Sequence, residues 1–131
     1  MGEALDVARR HYDAFQSEDW DAFFALYDPD VVVDLSRSGI PDLGIYHGHE
    51  GLRTAWARWR GVWDDYSFEV EELTEIGDRV LSLTRIHARS KGQGVGTEVS
   101  AGEVLTVRGG RIVHFVNFLD REDALREAGL G

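Results

Sequence analysis

The stretch TEVSAGEVLTVRGGRIVHFVNF, from Thr97 to Phe118, has the pattern of two strands joined by a tight turn. Apolar residues alternate along each half, and the Gly-Gly pair at 109 and 110 separates the halves. The pattern predicts a β-hairpin with strands over Thr97–Arg108 and Arg111–Leu119. In the first strand, a period of two predicts a core face made of Val99, Ala101, Glu103, Leu105 and Val107.

Glu103 is the exception on that face. A lone carboxylate that is taken out of water loses its hydration, so it must either be paired or become neutral. Asn117 is a similar exception one strand over, because it shares its predicted face with Val113 and Phe115. The hairpin therefore predicts polar groups on a face that is otherwise apolar.

The segments on either side of the hairpin predict an α+β fold. Helical periodicity predicts helices over residues 3–17, 20–27 and 49–63, and a short C-terminal helix after Asp120. The predicted strands outside the hairpin are Val31–Leu35, Ser67–Glu75 and Arg79–Arg89, and the stretch Ser36–Gly48 is typical of a loop. This order predicts a cone-shaped α+β barrel, with three N-terminal helices packed on a curved antiparallel sheet. We expect residues 1–131 to form one domain.

The composition argues against several classes of partner. The chain has 24 acidic and 14 basic side chains, a net charge of −10, with no cluster of lysine or arginine. We therefore expect neither nucleic acid nor a membrane as a partner. The sequence has no cysteine, no long apolar run, and no apolar segment typical of a signal peptide in its first residues. These features predict a soluble cytoplasmic protein.

The last predicted strand is apolar on both of its faces. Its alternating residues are Val113, Phe115 and Leu119 on one face, and Ile112, Val116 and Phe118 on the other. One face should meet the helices, and the other should meet a second subunit, since large exposed apolar patches usually mark an interface. The sequence therefore predicts a homodimer through the sheet face.

Two helices carry aromatic stripes that allow two interpretations. Tyr12 and Phe15 lie on the stripe of the first helix, and Trp56 lies on the stripe of the third helix with further tryptophans. Such residues are most simply core residues. Alternatively, Tyr12 and Trp56 line a ligand pocket between helix and sheet, since such pockets combine apolar walls with a few polar groups.

Other polar residues receive a simpler interpretation. The histidine pair in HGHE, from His47 to Glu50, has no third ligand spaced nearby, so we expect no metal. Arg85 and His87 lie on the face of their strand opposite a set of small and apolar residues. We expect that both side chains face the outside of the sheet or a dimer interface.

Four stretches of the chain resemble the SnoaL-like, polyketide cyclase-like branch of the nuclear transport factor 2-like or ketosteroid isomerase-like superfamily. They are YDAFQSEDWDAFFALYDPDVVVD, YHGHEGLRTAW, VLTVRGGRIVHF and DREDALREAGL, which begin at Tyr12, Tyr46, Val104 and Asp120. The resemblance implies the cone-shaped fold. It leaves the activity open, because the superfamily includes isomerases, cyclases, epoxide hydrolases, dehydratases and members that only bind ligands.

The resemblance also implies roles for individual residues. Glu103 falls where the isomerases and cyclases have a carboxylic acid on a strand, and Trp56 matches an aromatic residue that borders the pocket. His11 falls where the isomerases place an oxyanion-binding tyrosine, and Tyr12 is adjacent. Asp34 lies one residue before the position that matches the catalytic base of the isomerases.

These residues predict a cyclase or isomerase type of enzyme that acts on a hydrophobic carbonyl-bearing ligand by carboxyl acid/base chemistry, without a cofactor. Its expected catalytic residues are Glu103, Asp34 and His11. Its expected ligand-binding residues are Tyr12, Phe15, Trp56, Phe115 and Asn117. One alternative is a non-catalytic ligand-binding or dimerisation module. Another is epoxide hydrolase-like addition of water, which needs an arginine such as Arg85 to face the pocket.

Overall fold

The computed structural model describes residues 2–90 and 96–130. Its elements are α1 (Glu3–Gln16), α2 (Trp20–Ala25), β1 (Tyr27–Asp34), β2 (Ile45–His47), α3 (Gly48–Gly61), β3 (Trp63–Ile76), β4 (Arg79–Ser90), β5 (Gly96–Arg108), β6 (Arg111–Phe118) and α4 (Arg121–Ala128). In this part of the chain the strands form one curled, unclosed sheet in the order β2-β1-β6-β5-β4-β3. The predicted α+β class and its cone-like arrangement are confirmed.

The β5–β6 hairpin forms where the sequence predicts it. Gly109 and Gly110 have φ angles of 59° and 76°, a left-handed conformation that glycine adopts without strain and that two-residue hairpin turns require. The two strands pair antiparallel with Glu103 opposite Asn117. The two polar exceptions of the sequence are therefore neighbours across the strands.

Two predictions about the sheet are wrong. First, β1 pairs with β6 in parallel, so the sheet is not wholly antiparallel. No tight turn joins these two strands, and the long chain between them allows either direction. Second, Ile45–His47 forms the edge strand β2 inside the stretch predicted as a loop. Three residues are too few to show a period of two.

Some element boundaries also differ from the prediction. α3 ends at Gly61, and Trp63 begins β3, although its spacing from Trp59 fits a helix. β1 begins at Tyr27, which the helical pattern assigns to the second helix. Aromatic side chains suit a partly buried strand as well as a helix, so spacing alone does not assign them.

The first three helices fill the concave side of the sheet. Their buried residues pack with the inner faces of β1, β5 and β6 in one apolar cluster, which includes Val7, Ala8, Tyr12, Phe23, Val33, Leu52, Ala55, Leu105 and Phe115. Burial of such side chains stabilises a fold by roughly 25 cal/mol per Å² of apolar surface. Because Tyr12 belongs to this cluster, packing holds its side chain between α1 and the sheet.

The helix α4 covers part of the convex, outer face. It buries Leu81, Val104, Val116 and Phe118, which are at most 2% exposed. Gly102 lies directly beneath it, and a Cβ added there would lie 2.6 Å from the Cβ of Ala124. The close approach of α4 to β5 therefore requires glycine at this position. Among the described residues, no helix is both long and apolar enough to cross a membrane.

Beyond α4, the outer face is charged. Arg85 forms ion pairs with Glu71 at 3.1 Å and with Glu98 at 2.5 Å, and Arg121 also pairs with Glu71. His87 lies on the same face between acidic side chains. The second apolar face that motivates the predicted homodimer is thus covered by the chain's own C-terminal helix. The homodimer stays a prediction, and an exposed apolar face no longer supports it.

Candidate active site

A cavity of about 70 Å³, called here the inner cavity, lies between the helices and the concave face of the sheet. Its wall is mainly aromatic and aliphatic. The side chains with a carboxyl, amide, imidazole or phenol group that line it are His11, Tyr12, Tyr27, Tyr66, Glu103 and Asn117. An apolar wall with a few convergent polar groups is the usual form of a small-molecule site.

Glu103 is the one carboxylic acid among the residues that line the inner cavity. The hydroxyl of Tyr12 donates to Oε1 of Glu103 at 2.7 Å, and the amide Nδ2 of Asn117 donates to Oε2 at 2.9 Å. Desolvation raises the pKa of Glu103, although both hydrogen bonds favour the carboxylate and oppose that effect. Glu103 therefore binds a proton more readily than an exposed glutamate, while two donors hold its side chain in place.

Strand register brings this group together. Glu103 pairs with Ser82 of β4 on one side and with Asn117 of β6 on the other, so the three side chains form a row across the sheet. Ser82 is fully buried beside Tyr12. Burial, followed by the neighbouring Glu103, raises the pKa of Tyr12, so its phenol remains a protonated donor.

A second polar pair lies on the same cavity wall. Nε2 of His11 is 2.6 Å from the hydroxyl of Tyr27, and both side chains are buried. Burial lowers the pKa of His11 to about 3, so its imidazole is neutral at physiological pH. Its Nδ1 is buried without a hydrogen-bond partner in the part of the chain that the structure describes. The pair offers a hydrogen bond to a ligand without carrying a charge.

The structure brings most of the predicted site residues to this cavity. Seven of them line it, namely His11, Tyr12, Phe15, Trp56, Glu103, Phe115 and Asn117. Asp34 is not among them. Its carboxylate accepts from the backbone N–H of Ser36 at 2.9 Å and from the hydroxyl of Ser36 at 2.5 Å. Alternation along β1 instead turns its neighbours Val33 and Leu35 to the cavity, so the structure does not bring Asp34 to the site.

Sequence reasoning missed five aromatic residues of the wall as site residues, namely Phe23, Tyr27, Trp59, Tyr66 and Phe68. A signal for Tyr66 exists, because its alternation with Phe68 and Val70 extends the predicted strand backwards. For Tyr27, the helical spacing of the preceding residues conceals the strand, because β1 begins at this residue.

The two histidines near the start of α3, His47 and His49, do not line the inner cavity. Nε2 of His49 lies 2.8 Å from the backbone carbonyl oxygen of Tyr27, and His47 is exposed at the end of β2. Within residues 2–90 and 96–130, no three histidine, aspartate or glutamate side chains converge to hold a metal ion. His49 therefore anchors α3 to the start of β1.

Solved structures share this fold over nearly its whole length. An NTF2-like protein from Burkholderia thailandensis is 27% identical, with 98% of each chain covered and a TM-score of 0.81. An LEH-like epoxide hydrolase from Mycobacterium tuberculosis is 19% identical, with 98% of this chain and 91% of that chain covered and a TM-score of 0.68. A further Mycobacterium tuberculosis protein, in complex with estradiol-17beta-hemisuccinate, is 20% identical, with 90% and 94% covered and a TM-score of 0.70.

The sequence comparisons give a narrower result. No curated protein matches the chain. The family model of the SnoaL-like domain matches residues 8–115, which include most of α1, the hairpin turn and every residue of the inner cavity except Asn117. The chain belongs to the SnoaL-like domain family, within the NTF2-like superfamily.

Proposed function

We propose that the protein is a cofactor-independent enzyme of the isomerase or cyclase type, which moves a proton on a small hydrophobic molecule that carries a carbonyl group. The observation that carries the proposal is Glu103, a carboxylic acid with a raised pKa that faces an apolar cavity between two hydrogen-bond donors. A carboxyl with a raised pKa exchanges protons effectively near neutral pH, because its carboxylate is a stronger base than that of an exposed glutamate.

The proposed reaction uses both polar groups of the cavity. The Glu103 carboxylate removes a proton from the carbon next to the ligand carbonyl, which leaves the electron pair as an enolate. The Tyr27 hydroxyl, held by neutral His11, donates a hydrogen bond to the enolate oxygen. Protonated Glu103 then returns the proton to a second carbon. Donors that are already in position when charge develops on an oxygen are an effective form of catalysis.

A binder without turnover is the second candidate, because the same cavity serves it. The solved structure that contains a steroid ester supports a hydrophobic ligand for this fold, and it does not distinguish binding from catalysis. Epoxide hydrolysis has weaker support. It needs an arginine at the pocket, and the arginine considered for that role, Arg85, pairs with Glu71 and Glu98 on the outer face.

The test is the conversion of 4-penten-2-one, an open-chain β,γ-unsaturated ketone, to its conjugated isomer 3-penten-2-one, followed by ultraviolet absorbance, with deuterium exchange at the α-carbon as a second measurement. We expect Glu103→Gln to lower the rate by about 10² to 10⁴ while the folded protein still binds the ketone. Glu71→Gln is the matched control, because it removes a carboxylate from the other face of the sheet. An unchanged rate in Glu103→Gln contradicts the proposal, and binding without any turnover by the wild type supports the second candidate.

A cytoplasmic location and a homodimer belong to the same proposal as expectations from the sequence. Association through the outer face would bring a second subunit onto the ion pairs of Arg85 and Arg121. Such an interface is polar, so we expect the dimer to weaken as salt is added. Sedimentation at two salt concentrations measures this, and a monomer at micromolar concentration in low salt contradicts the homodimer.

A further inference from the structure

Two residues with hydroxyl groups lie on the inner, concave face of β4 among apolar side chains. Ser82 is 0% exposed and Thr84 is 1% exposed, and Val80 and Ile86 on either side of them belong to the apolar core. A buried hydroxyl destabilises a fold unless it is hydrogen-bonded. Neither residue is among the described residues that line the inner cavity, so neither contacts a ligand there. Their hydroxyl groups therefore need another explanation.

Ser82 is a neighbour of both Glu103 and Tyr12. It pairs with Glu103 across the β4–β5 ladder, whereas Thr84 pairs with Ala101. The hydroxyl of Tyr12 donates to Oε1 of Glu103 at 2.7 Å. Burial raises the pKa of Tyr12, and the hydroxyl of Ser82 opposes that rise, as expected for a donor beside the phenol oxygen. The three side chains therefore form one buried polar group, of which Ser82 is the member that does not line the cavity.

The partners of Glu103 in the structure suit only one of its two protonation states. In the proposed reaction, a C–H bond of the ligand breaks, an O–H bond forms on Glu103, and the electron pair stays on the ligand as the enolate. The carboxylate accepts hydrogen bonds only, so the donors Tyr12 and Asn117 suit it. The protonated carboxyl carries a hydrogen of its own, which needs an acceptor. One of the two partners must therefore change its role when the proton arrives.

Tyr12 changes its role more easily than Asn117. The amide nitrogen of Asn117 has no free lone pair, so the whole amide has to turn over before it offers its oxygen. The oxygen of Tyr12 has lone pairs, and only its hydrogen has to rotate about the C–O bond. That hydrogen then needs a new acceptor, because an unbonded hydroxyl in a buried place is destabilising. The hydroxyl oxygen of Ser82 is the neighbouring acceptor.

Resting on the proposed function, we propose that Ser82 is a positioning residue for the proton transfer, which acts on Glu103 through Tyr12. When Glu103 is ionised, Ser82 donates to Tyr12 and Tyr12 donates to Glu103. When Glu103 is protonated, both hydrogen bonds reverse, so that Glu103 donates to Tyr12 and Tyr12 donates to Ser82. A hydroxyl serves in both states because it donates and accepts. Ser82 thereby stabilises the proton on Glu103 without touching the ligand.

The other titratable groups around Glu103 do not interfere with a titration near neutral pH. They are Tyr12 and His11 from α1, Tyr27 from β1 and Tyr66 from β3. Burial raises the pKa of each of the three tyrosines above its ordinary value of 10.0 and lowers the pKa of His11 to about 3. The remaining described residues of the cavity wall, which include those from α2, α3 and β6, have no titratable side chain. Glu103 is therefore the group of this wall that titrates between about pH 5 and pH 9.

The test is a titration of the Glu103 carboxyl in the wild type and in Ser82→Ala, followed by NMR of isotope-labelled glutamate. Glu103→Gln identifies the signal, because the signal is absent in that variant. Ser82→Ala leaves the Tyr12 hydrogen without an acceptor only when Glu103 is protonated, so the protonated form is penalised more than the carboxylate. We expect the carboxyl to titrate about one pH unit lower in Ser82→Ala than in the wild type. A midpoint that is unchanged or higher overturns the inference.

Two further variants control for general effects of a change in the core. Thr84→Val removes the neighbouring buried hydroxyl and keeps the side-chain shape, so its midpoint should equal that of the wild type. Ser82→Thr keeps a hydroxyl at the site, on a branched side chain that suits a strand, and should restore the wild-type midpoint. A shift in Thr84→Val as large as that in Ser82→Ala overturns the inference, and so does a Ser82→Thr midpoint equal to that of Ser82→Ala.

The pH–rate profile of the ketone reaction separates this inference from the proposed function. Its rising limb should move to lower pH in Ser82→Ala, whereas loss of a donor to the carboxylate moves it to higher pH. If Glu103→Gln abolishes turnover while Ser82→Ala changes neither the midpoint nor the profile, the role of Ser82 is wrong and the proposed function stands. If the midpoint falls in Ser82→Ala and the wild type has no turnover, the proposed function is wrong and the reversing hydrogen bonds stand.

Discussion

Two glutamates of the same sheet have opposite electrostatic surroundings. Glu103 faces the inner cavity, where burial raises its pKa and neutral donors are its partners. Glu71 lies on the outer face, where hydrogen bonds from Arg121 and Arg85 lower its pKa. The side-chain type is the same, so the face of the sheet decides which protonation state is favoured.

The comparison extends to the histidines. His11 on the inner face is held neutral by burial, whereas His87 on the outer face lies 3.1 Å from Glu69 and 3.3 Å from Glu98. The inner face therefore favours groups in their neutral forms, and the outer face pairs the guanidinium groups of Arg85 and Arg121 with the carboxylate of Glu71. A carboxyl whose pKa is raised by burial is a stronger base toward a hydrophobic ligand than an exposed one, and Glu103 is such a group.

The largest expected effect concerns His11. Its folded pKa of about 3 lies below the unfolded value of 6.5, so its contribution to stability is present above pH 6.5 and is lost as pH falls through this range. That loss amounts to about 3 kcal/mol between pH 7 and pH 4. We expect His11→Gln, which can still bond to Tyr27, to lack this loss.

The measurement is urea denaturation of both proteins at the two pH values. His87→Gln is the matched control on the outer face, and it should keep the acid destabilisation of the wild type. If His11→Gln loses stability in acid as steeply as the wild type, then burial on the inner face does not hold His11 neutral. That result would contradict the contrast between the two faces.

A smaller effect is expected at Tyr12. Tyr12→Phe removes one of the two hydrogen bonds to the Glu103 carboxylate, and a hydrogen bond to a charged group contributes about 1.5 to 3 kcal/mol. The variant carboxyl should hold its proton to a higher pH, so the rising limb of the pH–rate profile moves to higher pH. The rate at neutral pH should fall by about tenfold or more.

Tyr66→Phe is the control for this change, because Tyr66 lines the same cavity and makes no direct hydrogen bond to Glu103 among the described residues. The readout is the pH–rate profile of the ketone reaction. A Tyr12→Phe profile that coincides with that of Tyr66→Phe would show that the contact does not set the protonation of Glu103.

The sequence predicts those features of the two faces that depend on residues close together in the chain. Features that depend on contacts between distant segments leave no local pattern. Local alternation predicts that Glu103 and Asn117 share the core face, because their hairpin is continuous in sequence. The helical stripe and the family resemblance point to Tyr12. Asp34 entered the predicted site through the family resemblance, one residue before the matching position, and a shift of one position along a strand reverses the face.

Other features depend on contacts between distant segments. The outer face carries apolar residues on β5 and β6, and no local pattern tells whether a second subunit or the chain's own α4 covers them. Tyr27 reaches the cavity as the first residue of β1, although the helical spacing of the sequence assigns it to the second helix. The partner of His11 could therefore not be found from periodicity.

The smallest effect compares the two glutamates directly through stability. The folded pKa of Glu103 is raised, so its contribution to stability is complete below the unfolded pKa and is lost as pH rises through the folded pKa. Glu103→Gln has no such loss. We expect the variant to gain melting temperature relative to the wild type between pH 5 and pH 8.

For Glu71→Gln the sign is reversed. Its folded pKa is lowered, so the wild type gains from the carboxylate above the unfolded pKa, and the variant should lose a little melting temperature at neutral pH. This loss should shrink in added salt, because the side chain and its arginine partners are solvent-accessible. Variants whose melting temperatures shift in the same direction at neutral pH would remove the contrast between the two faces.

The parallel pairing of β1 with β6 has a consequence for the order of folding. Val33 pairs with Phe115, and Tyr27 pairs with Ile112, so the contacts join the two ends of the chain and have a high sequence separation. Closing so long a loop has a large entropic penalty, and such contacts form slowly. During synthesis, the α1–β1 segment is made before β6. The cavity wall beside the pair of His11 and Tyr27 is therefore incomplete until β6 has been made and has paired with β1. We therefore expect a ribosome-bound chain that ends before β6 to have most of the hydrophobic residues of the cavity, without Phe115, and no ligand-binding capacity.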